Sequence, residues 1–240
     1  MRYIGLCSGS KGNCWILQTR ETTLMLDCGF TKKYLFEKMK ECGIDLSDLD
    51  ALLITHAHSD HIQQLRVFSH LPIYSVCELD VGIRLEPYQT FQIQDIQITP
   101  LAASHDAQGC CGYLFESEGE KLAYLTDTGY VSKLNIQMMQ NLDYYIIESN
   151  HDVEMLMKTN RPFATKSRIY SDQGHLCNED CGRALSLMIG ENTKEITLAH
   201  LSEEANTPVR ALSVVSGCLK DYKGILQAAA QKECIKGGSR

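Results

Sequence analysis

The sequence predicts an α/β sandwich, two mixed β-sheets flanked by helices, in a single domain over residues 1–240. Three observations predict it. The first half consists of short apolar strands between turn signals; the second half alternates helices with buried strands; and clusters of polar residues stand where strands end. With 44% apolar and 22% charged residues the composition is that of an ordinary globular protein. No internal repeat, low-complexity block or Pro/Gly-rich linker divides the chain.

In order, "RYIGLC", "CWILQT" and "TTLMLDCG" read as strands, the first two joined by the turn signal "SGSKGN" from Ser8 to Asn13. A helix runs from a Thr31 cap through "KKYLFEKMKEC" to a stop at Gly43, with Tyr34, Leu35, Met39 and Cys42 on one face. "ALLIT" reads as a fully buried strand and "IQQLRVFSHL" as a helix opened by Asp60 and His61, in which His70 is structural. "FQIQDIQITPL" predicts paired strands about Asp95, and "CGYLFES", "KLAYLTD" and "LDYYIIES" extend the sheet. From Val153 helices dominate, broken by the buried strand "EITLAH" and closed by the helix "PVRALSVVSGCL". Residues from about 225 to 240 read as a flexible tail.

A net charge of −7 argues against general attraction to nucleic acid or anionic lipid, so a phosphate substrate would need local cations. No basic and apolar leader and no run of ~18 or more apolar residues is present. The expectation is a soluble, cytoplasmic protein without membrane contact. Eleven cysteines then read as reduced thiols rather than a disulfide framework. Cys110 and Cys111 are adjacent; Cys177 and Cys181 lack the second Cys/His pair that a zinc finger requires.

The chemistry is concentrated in "LLITHAHSDH", where a buried strand stops at His-x-His-x-Asp-His. His56 and His58, two apart on an extended stretch, point the same way, whereas Asp60 and His61 open a helix and point to an adjacent site. Two metals are the natural reading. Imidazole with carboxylate suits zinc, manganese or iron, and the lack of thiolate ligands argues against a structural zinc site. Six residues cannot complete two coordination spheres. His105 after "LAAS", Asp127 in "LAYLTDTG" and His200 in "ITLAHLS" stand at other strand ends and supply one imidazole for each metal and a carboxylate between them.

This ordered set resembles the metallo-β-lactamase superfamily over most of the chain, which implies the αββα metallo-β-lactamase fold. By that resemblance His56, His58 and His105 hold one metal, Asp60, His61 and His200 the other, and Asp127 bridges; Asp60 is needed for cleavage as well as for metal. Redox members carry a glutamate where this chain has His58, which points to the hydrolase branches. The Gly-His step at His175, ahead of a helix and the strand ending in His200, is similar to nuclease branches in which such a histidine protonates the leaving oxygen. Glu148, ending "DYYIIES", would orient it. "SGSKGN", "TDTGYVS", "ESNHDVEML" and "LAHLSEEANTP" together resemble the YycJ/WalJ family of single-domain proteins, although Cys177 stands where a serine is usual. The family implies a dinuclear Zn²⁺- or Mn²⁺-dependent exonuclease acting from 5′ ends of DNA, with a place in DNA repair. About 47 residues separate Asp127 from His175, too few for the inserted cap domain of larger relatives.

Substrate contacts are expected from Ser8, Ser10, Lys11 and Asn13 in the glycine-rich turn, and from Asn150 and His151 after Glu148. "NRPFATKSR" offers Arg161, Lys166 and Arg168 beside Phe163, a strand-tracking composition or a solvated helix face. A hydrolase of a small ester, thioester, lactam or cyclic phosphodiester is the rival within the fold. A non-catalytic, metal-stabilised nucleic-acid or regulatory binding protein is the rival from another class. The native metal, DNA against RNA and oligomeric state are left open.

Overall fold

The structure, a computed structural model, describes residues 1–239. Strands β1 (Arg2–Cys7), β2 (Cys14–Gln18) and β3 (Thr23–Leu26) form an antiparallel meander. Helix α1 (Lys32–Glu41) then crosses to β4 (Ala51–Ile54), which pairs parallel with β3. After a single turn, α2 (Ser59–Ile62), the short parallel strands β5 (Ile73–Ser75) and β6 (Ile83–Arg84) finish that side of the first sheet. The second sheet begins with the antiparallel strands β7 (Phe91–Ile93), β8 (Ile96–Ala102), β9 (Cys111–Ser117) and β10 (Glu120–Leu125). It continues through α3 (Lys133–Met138), β11 (Tyr144–Glu148), α4 (Val153–Lys158), α5 (Phe163–Tyr170), α6 (Asn178–Met188), β12 (Glu195–Ala199), α7 (Pro208–Cys218) and β13 (Ile225–Ala228). The last strand, β14 (Ile235–Gly238), returns to the first sheet, antiparallel to β1. The orders are β14-β1-β2-β3-β4-β5-β6 and β13-β12-β11-β10-β9-β8-β7.

Central strands are apolar on both faces because both faces are covered. In β2, Trp15 and Leu17 face the space between the sheets while Ile16 faces α1. In β11, Tyr144 and Ile146 face the same space while Tyr145 and Ile147 meet α6 and α7 residues such as Leu185 and Val215. The alternation yields four layers, helix, sheet, sheet and helix, so the expected αββα sandwich is borne out. Thr31 caps α1 as its sequence requires, its side chain accepting from the Tyr34 N–H.

Two sequence expectations are corrected. The helix expected over "IQQLRVFSHL" is not formed: α2 ends at Ile62, because the Gln64 N–H donates to the Cys28 carbonyl and the Cys28 N–H to that of His61, bonds that divert the backbone; His70 lies exposed in a turn. The expected tail instead supplies β13 and β14, which pair with β12 and β1. Both are four-residue, half-exposed edge strands, too short for a periodic signal. Between them Gln231 accepts from the Lys11 N–H at 2.9 Å and donates to the Gly12 carbonyl at 3.1 Å, fixing the Ser8–Asn13 turn. Helix α3 and strands β5 and β6 carried no readable sequence signal. All eleven cysteines are free; Cys177 caps α6 while Cys181 is packed in the core.

Candidate metal centre

Every ligand candidate is placed at or just beyond the C-terminal end of a strand, on one edge of the two sheets. His56 and His58 follow β4, His105 follows β8, Asp127 follows β10 and His200 follows β12, with Asp60 and His61 on α2. Asp27 after β3, Asp127 and His200 adopt φ values of 58°, 54° and 54°, the left-handed region that non-glycine residues rarely enter. Each strand therefore breaks sharply at the residue that turns toward the centre, a strain that the surrounding packing must hold. Gly29 lies against α2 so closely that a Cβ there would come within 1.6 Å of the Asp60 carbonyl oxygen.

Two ligand groups form with Asp127 between them. His56, His58 and His105 place nitrogens within 4.8 Å of one another, and an Asp60 carboxylate oxygen with nitrogens of His61 and His200 forms a second group within the same distance. The Asp127 carboxylate lies 3.3 Å from His61 Nε2, 3.4 Å from His200 Nδ1 and 3.9 Å from His105 Nε2. His56 Nε2, His200 Nε2 and Asp127 Oδ2 are buried with no hydrogen-bond partner. Buried polar atoms are almost always satisfied, so three orphans in one place fit residues that hold a cation. Nitrogen and carboxylate donors in these numbers suit a divalent metal.

The far nitrogen of each buried imidazole is tied down. His61 Nδ1 donates to Asp27 at 2.8 Å, His105 Nδ1 to the Gly174 carbonyl at 3.0 Å and His200 Nδ1 to Glu148 at 2.7 Å. His56 Nδ1 meets the Thr55 hydroxyl at 3.0 Å, and Thr55 is itself bonded to Asp27. This leaves Nε2 of all four facing the centre, the tautomer that metal binding requires. Asp27, Thr55 and Gly174 were missed by the sequence reading, although Asp27 ends the strand "TTLMLDCG" and so carried the same strand-end signal as the ligands.

Charge coupling across the centre is strong. Burial alone would lower the His200 and His61 pKa values, but Asp127 with Glu148, and Asp27 with Asp127, outweigh it and raise them to about 10 and about 9. Burial would raise Glu148, yet the His175 and His200 imidazoles hold it at about 2. His56, buried among other imidazoles, is pushed well below its usual range.

His175 stands at the wall of the same cavity, of about 250 Å³, with Ser10, His58, Asp60, Asn150, Arg161, Arg168 and Ser202. Its Nδ1 donates to Glu148 Oε1 at 2.8 Å, and its ring lies 5.0 Å from that of His105 and 5.2 Å from that of His200. Glu148 Oε2 accepts from the N–H groups of Thr128 at 2.9 Å and Leu176 at 3.1 Å, so this fully buried carboxylate is saturated. Ser10 and Asn150 reach the cavity. Ser8 and Asn13, expected at the substrate, are instead buried against ligand candidates and do not line the cavity: the Ser8 hydroxyl accepts from the His200 N–H at 2.8 Å, and Asn13 Nδ2 lies 3.0 Å from His61 Nε2, on the centre-facing edge of that ring. His151, also expected there, is fully buried beneath Tyr170 with both ring nitrogens unpartnered, because Asn150 turns toward the cavity and the next side chain turns inward.

A family described as the beta-lactamase superfamily domain matches residues 22–200. The chain belongs to the β-lactamase superfamily. This superfamily member is 37% identical over 232 residues to exodeoxyribonuclease YycJ of Bacillus anthracis, covering 90% of this chain and 88% of that one. It is 37% identical over 223 residues to exodeoxyribonuclease WalJ of Streptococcus pneumoniae, covering 85% and 83%. Among solved structures, the metallo-β-lactamase fold protein YhfI of Bacillus subtilis matches the superfamily member with a TM-score of 0.73 at 18% identity, covering 98% of this chain and 99% of that one. These findings bear out the resemblance read in the sequence and the metallo-β-lactamase fold. No helix among the described residues is long and apolar enough to cross a membrane.

Proposed function

We propose that the chain is a metal-dependent phosphodiesterase, a DNA exonuclease acting from 5′ ends, that holds two divalent cations, Zn²⁺ or Mn²⁺, on His56, His58 and His105 and on Asp60, His61 and His200, bridged by Asp127. The observation that carries this reading is the His175–Glu148 pair on the wall of the cavity that the ligands line. Hydrolysis of a phosphodiester expels an alkoxide, which needs a proton, whereas a thioester expels a thiolate that can leave without one. The curated relatives named as exodeoxyribonucleases, similar over most of both chains, support the same substrate class.

The cations would supply Lewis acidity, lowering the pKa of a water and neutralising phosphoryl charge. The residues supply the rest. Asp27, Thr55, Gly174 and Glu148 hold four imidazoles with Nε2 inward, so no ligand has to reorient when a substrate arrives. Glu148 stabilises the imidazolium of His175 and occupies its Nδ1, which leaves the proton on Nε2 to be given to the leaving oxygen. The same reading carries a role in DNA repair and a cytoplasmic location.

Digestion of end-labelled single- and double-stranded DNA and RNA with Zn²⁺ or Mn²⁺ tests it. Nucleotides should be released progressively from 5′ ends of DNA. Turnover of a thioester or lactam with no cleavage of any polynucleotide would replace this reading with that of a small-ester hydrolase.

A further inference from the structure

The segment Met155–Ser171 carries Lys158, Arg161, Lys166 and Arg168 with no acidic residue, in a chain whose net charge is −7. Its two arginines, Arg161 just before α5 and Arg168 in the last turn of that helix, both line the metal cavity. They stand beside different halves of the centre. Arg168 is paired with Asp106, whose other oxygen lies 3.2 Å from His105 Nε2 and 3.8 Å from His58 Nε2, ligand candidates of the first group. Arg161 Nε donates at 2.8 Å to Glu204, in the loop that follows His200 of the second group and brings Ser202 to the cavity.

Each guanidinium has five N–H donors and gives only part of its fork to the carboxylate, so a face is left for a second anion. The carboxylates act as positioning groups, because they fix two long side chains that would otherwise lose rotamer freedom on binding. Exposed ion pairs of this kind, with Arg161 29% and Arg168 56% exposed at the side chain, contribute little to folding stability, which leaves their shared orientation toward one cavity unexplained by stability.

We infer that Arg161 and Arg168 are phosphate-binding arms for backbone phosphates neighbouring the scissile one, one arm beside each metal group, so that the site takes a polynucleotide strand lying along α5 rather than an isolated small phosphodiester. The inference rests on the nuclease reading above and deepens it. Ser10, Ser202 and Asn150 line the same cavity and add neutral polar groups to it.

The test is binding of a phosphorothioate-linked, cleavage-resistant single-stranded oligonucleotide to the metal-loaded protein as a function of salt. For a single strand each lost phosphate contact lowers the slope of log K against log salt by about 0.7, so Arg161→Ala and Arg168→Ala should each do so. Each should also weaken binding about tenfold, as expected for a charge-assisted hydrogen bond. Arg161→Lys should keep the slope while losing part of the affinity, and metal content should stay at the parental level in all three. Unchanged slopes in both alanine variants, or no binding by the parent, overturn the inference. Failure of the nuclease reading looks different: the parent binds the oligonucleotide with the expected slope yet cleaves no natural polynucleotide.

Discussion

A single carboxylate oxygen, Oε1 of Glu148, accepts from Nδ1 of His200 at 2.7 Å and from Nδ1 of His175 at 2.8 Å. The residue proposed to hold metal and the residue proposed to donate the proton are thus governed by one charge. Glu148→Gln keeps the shape but removes that charge and one acceptor. The substitution should weaken metal binding ~10–100-fold, as for other partners of ligating imidazoles, and lower kcat ~10²–10⁴-fold through His175. Titration calorimetry together with single-turnover kinetics would check both; a loss of kcat with unchanged metal affinity would show that His200 does not depend on Glu148.

His175→Ala separates the two roles. Because His175 is the partly exposed partner and Glu148 keeps three other donors, this variant should retain full metal content while kcat falls ~10²–10⁴-fold. Asp60→Ala, by contrast, should lose both cleavage and metal from the second group. Elemental analysis beside an end-label assay distinguishes the cases, and parental cleavage by the His175 variant would remove it from the mechanism.

Asp27 is the deepest support of the centre, bonded to His61 and Thr55 and wholly buried. Asp27→Ala should reduce metal affinity ~10–100-fold although no ligand is touched. An apparent dissociation constant from competition with a chromogenic chelator would measure it.

In the metal-free protein His61 and His200 have folded pKa values raised from 6.5 to about 9 and about 10. Groups raised in this way add stability that is fully present below the unfolded pKa near 6.5 and is lost as pH rises through 9 and 10. His56, depressed by burial, titrates below that window, whereas buried thiols such as Cys28, Cys111 and Cys181, pushed up from 9.0 by burial, add to the loss above about pH 9, so the fall between pH 7 and pH 9 is the part that reports His61 and His200. The melting temperature of the metal-free protein should therefore fall from pH 7 to pH 10, and metal uptake near pH 7 should release protons. Melting curves across that range, with calorimetry in two buffers of different ionisation enthalpy, test both parts.

Gly29→Ala would drive a Cβ into the Asp60 carbonyl oxygen at 1.6 Å. Backbone offers no rotamer by which to escape, so the cost should reach about 3 kcal/mol or more, the upper part of the range for overpacking. Urea denaturation would show the loss, and a midpoint within error of the parent would mean that α2 shifts freely.

Local pattern made much of this protein legible. The continuous apolar runs of β2, β3 and β4, and the abrupt polar stop after each buried strand, are properties of neighbouring residues, and they announced both the sandwich and the positions His56, His58, Asp60, His61, His105, Asp127 and His200 that the structure brings together. Where local pattern misled, a distant partner had intervened: Cys28 ends the helix expected after Ile62, and β1 and β12 recruit the chain end as β14 and β13.

The sequence by itself determined which side chains could serve as ligands and that they stand at strand ends, because strand periodicity and residue chemistry are written over a few consecutive positions. Only the tertiary structure decided that Asp27 fixes His61 across 34 positions, that Glu148 serves His175 and His200 together, and that Ser8 and Asn13 are buried against His200 and His61 rather than lining the cavity. Those pairings depend on the sheets' register and on sharp left-handed turns at Asp27, Asp127 and His200, whose cost is met by contacts from residues far away in the chain.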